Sequence, residues 1–217
     1  MGALTVEKTE AQSTPFLDWS VAELALRGQK ASGDLHVVRA LEQGVLVAVI
    51  DGLGHGEEAQ HAARIAAATI AQHQTQSVID MVRRCHSALI GTRGCAMSLA
   101  LINARDETMT WLAIGNVEGV LIRPGKTGPA ARETVVMRGG VVGYDLPVLR
   151  ATVTTLGSGD LLVFATDGIR PEFIERLAKG PQHPKELAEH VMAQYAKHTD
   201  DSLVFVGRYL GRERHGG

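Results

Sequence analysis

Val45-Leu46-Val47-Ala48-Val49-Ile50-Asp51-Gly52-Leu53-Gly54-His55-Gly56 is the stretch that orders the rest of this chain. The apolar run 45–50 reads as a strand buried on both faces. The Ala-rich run 57–74 that follows reads as a helix. A carboxylate therefore stands where a strand ends, and the glycines after it let backbone come close to whatever that carboxylate holds. This is how a protein builds a site for a hard cation or a phosphate. The question for the rest of the sequence is whether other carboxylates belong to the same site.

On either side of this segment the pattern is β. Strands are expected at 21–27 and 35–41, joined by Gly28-Gln29-Lys30-Ala31-Ser32-Gly33. After it come helices at 55–74 and 77–90, the second with Ser77 as N-cap and Asp80 completing an approximate capping box. Ala59, Ala62, Ala63, Ala66, Ala67 and Ile70 form a small-residue stripe, read as close packing on a sheet. Short β-forming runs at 96–103, 108–114, 117–123, 132–138, 151–156 and 160–166 follow, split by turn residues. Helices at 171–178 and 184–197 each have Pro in the first turn, and 202–209 is a closing strand. Residues 211–217 form a polar tail whose Arg212 and Arg214 read as solvated charges. Clustered strands with segregated helices argue an α+β fold: two packed, mostly antiparallel sheets with helices on the outer faces.

Composition narrows the function classes. The chain has 217 residues, 45% of them hydrophobic, and a formal net charge of −2. That is enough for one domain, with its core at about 20–210, and it gives no reason to expect nucleic acid or an anionic membrane surface as partner. No apolar run reaches the roughly 18 residues of a membrane span, and the polar segment 1–14 lacks the apolar core of a signal peptide. Cys85 and Cys95 lack metal-ligand spacing and read as buried free thiols, which fits a reducing, cytoplasmic compartment.

Acidic residues recur at strand edges. Asp34 opens one strand, Asp51-Gly52 closes another, Asp167-Gly168 closes 161–166, and Asp200-Asp201 opens 202–206. A single Asp in such a place means only a turn. Together they form an oxygen-only donor set suited to Mg²⁺ or Mn²⁺. Crowded carboxylates without a cation repel and raise one another's pKa, so a cation is their natural partner. Two such ions roughly 3.5–4 Å apart clamp a phosphoryl group. His55 lies nearby as a ligand, a proton donor or a polar helix-start residue. His61, His73, His86, His183, His190 and His198 show no mutual ligand spacing.

In this order the motifs resemble the PP2C-type (PPM) metal-dependent serine/threonine phosphatases, in their bacterial SpoIIE/RsbU/RsbX branch. The matching pieces are Ser32-Gly33-Asp34, Asp51-Gly52-Leu53-Gly54-His55-Gly56 with Ala59, and the strand 94–102. They continue with Ile114-Gly115-Asn116 and Gly139-Gly140-Val141-Val142-Gly143, then Leu156-Gly157-Ser158-Gly159-Asp160 leading to Thr166-Asp167-Gly168, and end on Asp200-Asp201-Ser202-Leu203-Val204. The resemblance covers about 20–210 and implies an αββα sandwich of two antiparallel sheets. It also implies two Mn²⁺ or Mg²⁺ ions. Asp51 would bridge them and the Gly52 carbonyl would bind one. Asp167 and Asp200 would hold the other, and Asp34 would touch a metal or order its water. A metal-bridging water would attack phosphoserine or phosphothreonine directly.

The chain departs from the wider family in ways that bear on the site. Eukaryotic members place a phosphate-gripping Arg ahead of the first acidic motif; Arg27 and Lys30 are the nearby residues here. Gly115-Asn116 stands where many members carry Gly-Asp for a third metal, and a long flap insertion is missing. The small size resembles the RsbX type, whose substrates are phosphorylated STAS-domain stressosome proteins. The alternatives are a phosphatase of the RsbU/SpoIIE type acting on an anti-sigma-factor antagonist, a non-catalytic PP2C-like scaffold, and a structural domain whose Asp-Gly pairs are only turns.

Overall fold

A computed structural model describes residues 8–26, 32–73, 77–177 and 182–211. One sheet contains β1 (Lys8–Ser13), β2 (Leu17–Leu24), β7 (Glu118–Ile122), β8 (Arg132–Thr134), β11 (Leu161–Ala165) and β12 (Ser202–Tyr209), in the order β1-β2-β12-β11-β7-β8. The other runs β10-β6-β5-β4-β3, from β3 (Asp34–Leu41), β4 (Gly44–Gly52), β5 (Cys95–Asn103), β6 (Thr108–Ile114) and β10 (Thr152–Thr155). The short β9 (Met137–Arg138) adds to the β6 edge, in parallel; the other pairings are antiparallel. Helices α1 (Glu57–Gln72) and α2 (Val78–Leu89) cover the second sheet, and α3 (Phe173–Arg176) and α4 (Pro184–Tyr195) cover the first. The expected α+β sandwich of αββα layers is what the chain forms. Among the described residues, no helix is long and apolar enough to cross a membrane.

Alternation along β4 explains its unbroken apolar run. Val45, Val47 and Val49 face the other sheet, packed with Trp19, Phe164 and Phe205. Leu46, Ala48 and Ile50 face α1 and α2. A strand covered on both faces has no polar side to show. The same parity puts Asp51 on the inward face, one step beyond Val49. In α1 the buried stripe is Ala59, Ala62, Ala63, Ala66, Thr69 and Ile70, so Thr69 is buried while Ala67 is only half-buried. Its small side chains let the helix sit close to β4. The Ser77 cap is present: its hydroxyl accepts from the Asp80 amide at 3.2 Å. The Asp80 carboxylate pairs with Arg83.

Some expected elements differ. The polar N-terminal segment supplies β1, an edge strand on β2, whose mixed sequence Lys-Thr-Glu-Ala-Gln-Ser shows no apolar alternation. The strand expected at 21–27 begins earlier, at Leu17, and ends at Leu24. The run 132–138 is not one strand: β8 joins one sheet and β9 the other. The helix expected at 171–178 shrinks to α3, because bonds from Phe173 N to Arg170 O and Ile174 N to Pro171 O make tight turns there. Helix α4 stops at Tyr195, where Ala196 becomes extended and bridges Ile169. Arg27, Lys30, Arg212 and Arg214 lie outside the described residues.

At the end of the sandwich away from Asp51, Arg123 ties the sheets together. Its Nη2 donates to Glu133 Oε2 and to Thr154 Oγ1, each at 2.9 Å. Thr154 lies on β10 and Glu133 on β8, so the clasp spans both layers.

Candidate metal centre

The sandwich places β3–β4 of one sheet against β11–β12 of the other, so the open end of the β3–β4 hairpin meets the end of β11 and the start of β12 at one edge. In the β3–β4 ladder Asp34 stands opposite Asp51. Like charges facing across a ladder repel. In the opposing sheet Thr166 and Asp167 follow β11, and Asp200 and Asp201 precede Ser202. A cleft of about 170 Å³ opens between them, lined by Asp51, Asp167 and Asp200 together with Asn116, His55 and Thr199. Leu26, Leu53 and Gly54 complete its walls.

Asp34 lies beneath this cleft and not on it. It is 4% exposed, and its Oδ2 accepts from the Thr166 hydroxyl at 2.7 Å. Burial, and next the charge of Asp51, push its carboxyl well above the usual range, while the Thr166 hydrogen bond acts the other way. Asp51 is pushed up to about 7 by burial, with Asp167, Asp200 and Asp201 adding repulsion. Among the described residues no side chain or amide donates to its carboxylate. Asp200 is raised by burial, opposed by the Asp201 amide that donates to it and by the nearby His55.

The adjacent acids Asp200 and Asp201 divide their work. Asp201 is 3% exposed, and its carboxylate accepts from Leu26 N and Gly33 N, each at 2.7 Å. Both oxygens are thereby occupied in tying the segment before β3 to the start of β12. Asp200 keeps a place on the cleft. Asp167 receives a hydrogen bond from Asn116 Nδ2 to its Oδ2, and Lys197 Nζ donates to its backbone carbonyl.

The glycine after each strand-ending Asp is required by its packing against neighbouring backbone. A Cβ on Gly52 would lie 2.1 Å from the Ala59 carbonyl oxygen, and one on Gly168 would lie 1.9 Å from that of Asp201. Both are sites of close backbone approach. The left-handed turn into α1 belongs to Gly54 and Gly56, at φ 89 and 78.

Sequence reasoning quoted Thr166 and Asp201 within their motifs without assigning their roles, and it missed Lys197. Thr166 and Asp201 each sit beside a motif acid, and strand parity alone would have pointed them inward. Lys197 is expected as the last residue of the helix 184–197, whereas it lies past the end of α4 at Tyr195. Among the described residues, no group of three His, Cys, Asp or Glu side chains is arranged to hold a metal ion by itself. The donors instead stand around an open cleft. That suits Mg²⁺, which commonly binds through one or two carboxylates and keeps several waters.

The profile of the family described as Stage II sporulation protein E (SpoIIE) matches residues 42–209. The chain belongs to the SpoIIE family. The match spans the β4 acid, the Asn116 turn, the Asp167 turn and β12. The chain is also 24% identical over 210 residues to the phosphoserine phosphatase RsbX of Bacillus subtilis (strain 168), covering 92% of this chain and 98% of RsbX. A crystal structure of RsbX in complex with magnesium is similar with a TM-score of 0.82, at 22% identity, over 93% of this chain and 100% of that one. A structure described under the bacterial stressosome, as a modular system adapted to control secondary messenger signalling, is similar with a TM-score of 0.80. It is 28% identical, over 88% of this chain and 99% of that one.

Proposed function

We infer that this chain is a metal-dependent phosphoprotein phosphatase that releases phosphate from phosphoserine or phosphothreonine on a bacterial signalling protein. The chain is a protein-serine/threonine phosphatase of the SpoIIE family, as its likeness to the phosphoserine phosphatase RsbX supports. The observation that carries this reading is the meeting of Asp51, Asp167 and Asp200 on one small cleft, with Asp34 directly below.

The residues fit a hard divalent cation. They offer carboxylate oxygens, and burial, with repulsion from Asp167, Asp200 and Asp201, raises the Asp51 pKa to about 7, an unfavourable state that a cation relieves. Asp51 and the Gly52 carbonyl would hold one of two Mn²⁺ or Mg²⁺ ions, and Asp167 and Asp200 the other, with Asp51 shared. When bound, such ions lower the pKa of water and offset charge on phosphoryl oxygens.

The chain's own groups set the remaining terms. A thiol nucleophile is ruled out: Cys85 and Cys95 are buried in the helix-side core, and burial pushes the Cys85 pKa up to about 12. The resemblance to the PP2C-type phosphatases implies water as the attacking group. The cleft has room for a phosphoryl group and little more, so the rest of the phosphoprotein must lie outside it, past Leu26 and Leu53. Asp34, held by Thr166, keeps a second carboxylate behind Asp51 and so strengthens the local demand for positive charge.

The substrate reading is a phosphorylated STAS-domain component of the stressosome. It is supported by the alignment with RsbX over 98% of that protein and by the likeness to a stressosome structure. Phosphate release from a phosphopeptide and from a phosphorylated STAS protein, with Mn²⁺ or Mg²⁺ and with chelator, tests both levels. Release that needs the metal is expected from each. No release at any metal concentration overturns the phosphatase; release from the peptide alone overturns the stressosome substrate.

A further inference from the structure

We propose that Asn116 is a positioning residue that holds the Asp167 carboxylate at the cleft, an inference that rests on reading this cleft as the cation site. Asn116 lies on the connection from β6 to β7, two residues before Glu118, and Asp167 lies two residues after Ala165, which pairs with Glu118, so their hydrogen bond continues the β7–β11 ladder beyond its last pair. The Asn116 backbone is itself fixed. The preceding Gly115 has φ 84, donates to Arg138 O at 2.8 Å, and leaves no room for a Cβ, which would lie 2.5 Å from that of Ala96.

The opposite side of Asp167 is held through its backbone. Lys197 Nζ donates to the Asp167 carbonyl, Lys197 N donates to the Gly168 carbonyl at 2.8 Å, and Ile169 bridges Ala196. Asp167 is thus gripped at its carboxylate from the β6–β7 connection and at its peptide from the α4–β12 loop. Among the described residues only Oδ2 of its carboxylate receives a side-chain donor, which leaves Oδ1 for a ligand. Among the described residues Asp51, by contrast, has no such brace.

Chemistry explains why an amide serves here. Asp167 already shares the cleft with Asp51 and Asp200. A neutral carboxamide donates to the carboxylate without adding charge. A carboxylate at the same position has the same shape, cannot donate when ionised, and repels. Holding a ligand in its binding geometry lowers the ordering cost when the cation arrives.

The test is Mn²⁺ binding by calorimetry and by the electron paramagnetic resonance of the ion, without substrate, for wild type, Asn116→Ala and Asn116→Asp. Melting temperatures in chelator are recorded for each. Asn116→Ala is expected to weaken Mn²⁺ binding by roughly tenfold, the size of one lost charge-assisted hydrogen bond, with little change in melting. Asn116→Asp is expected to weaken it at least as much. Wild-type affinity in Asn116→Ala, or tighter binding in Asn116→Asp, overturns the proposal; the second result makes position 116 a ligand. A wild type that binds no Mn²⁺ overturns it together with the cation site. If wild type binds Mn²⁺, Asn116→Ala weakens it, and no phosphopeptide is turned over, the positioning role stands and the phosphatase reading falls.

Discussion

The Thr166 hydroxyl donates to the Asp34 carboxylate at 2.7 Å, joining residues separated by 132 positions in the chain and belonging to opposite sheets. The same hydroxyl accepts from Leu203 N at 2.9 Å. One side chain thus fastens β3, β11 and β12 beneath the cleft. Replacing it with the isosteric Thr166→Val removes a donor to a buried carboxylate and an acceptor from a buried amide. A loss of about 2 kcal/mol is expected, read from urea unfolding in chelator. Unchanged stability would show that Asp34 finds another partner.

Asp200 and Asp201 are neighbours with opposite expected phenotypes. Asp201→Ala frees the Leu26 and Gly33 amides from their acceptor and is expected to cost about 2–4 kcal/mol. Asp200→Ala removes a side chain on the cleft and is expected to change stability by less than about 0.5 kcal/mol while abolishing metal-dependent turnover. Unfolding curves beside phosphate-release assays separate them; matching stability losses would contradict the division.

Asp51→Asn is expected to stabilise the metal-free protein, because it removes a buried charge that repels Asp167, Asp200 and Asp201 and faces Asp34 in the ladder. Its phosphatase activity is expected to fall at least about a hundredfold, the size seen when a group acting on the transition state is lost. Asp34→Asn is expected to hurt activity less, since Asp34 lies below the cleft and an amide oxygen can still accept from Thr166. Equal activity losses would remove the distinction between the two acids.

The metal-free protein is expected to lose stability as pH rises from about 4 to about 7. Asp51 moves from 3.8 in the unfolded chain to about 7 in the fold, so across that window the native state binds more protons than the unfolded one. Stability then falls with rising pH and levels off above the folded value. The upward shifts of Asp34 and Asp200 act with the same sign. Mg²⁺ or Mn²⁺, which binds the ionised carboxylates, is expected to remove or reverse the trend. Urea midpoints at about pH 5 and about pH 7.5, with and without the ion, check the sign.

Gly168→Ala is expected to destabilise the fold by about 3 kcal/mol or more, because its Cβ would overlap the Asp201 carbonyl. Thermal melts read this directly. An ordinary loop glycine would lose far less.

Much of this molecule is legible from residue types alone. The run 45–50, apolar at every position, announces a strand covered on both faces, and β4 is one. The repeated Asp-Gly after a strand marks both halves of the cleft in advance. The Ala stripe of α1 foretells close packing, because small apolar side chains on one helix face let the helix axis approach the sheet. What was not legible is what depends on partners distant in sequence. An edge strand such as β1 carries little apolar pattern, since one side of it meets solvent. The run 132–138 has uniform β character, yet it crosses between sheets, which no local preference encodes.

By itself the sequence determined the alternation that places Asp51 inward, the helix and strand periods, and the set of acids able to meet a cation. These follow from covalent geometry and the side-chain period of each element. Only the tertiary structure decided how each acid is engaged. It buried Asp34 under Thr166, occupied Asp201 with backbone amides, braced Asp167 with Asn116, and left Asp51 and Asp200 on the cleft. The reason is that burial and hydrogen-bond satisfaction are properties of the packed sheets, and identical Asp residues acquire different roles only when those sheets meet.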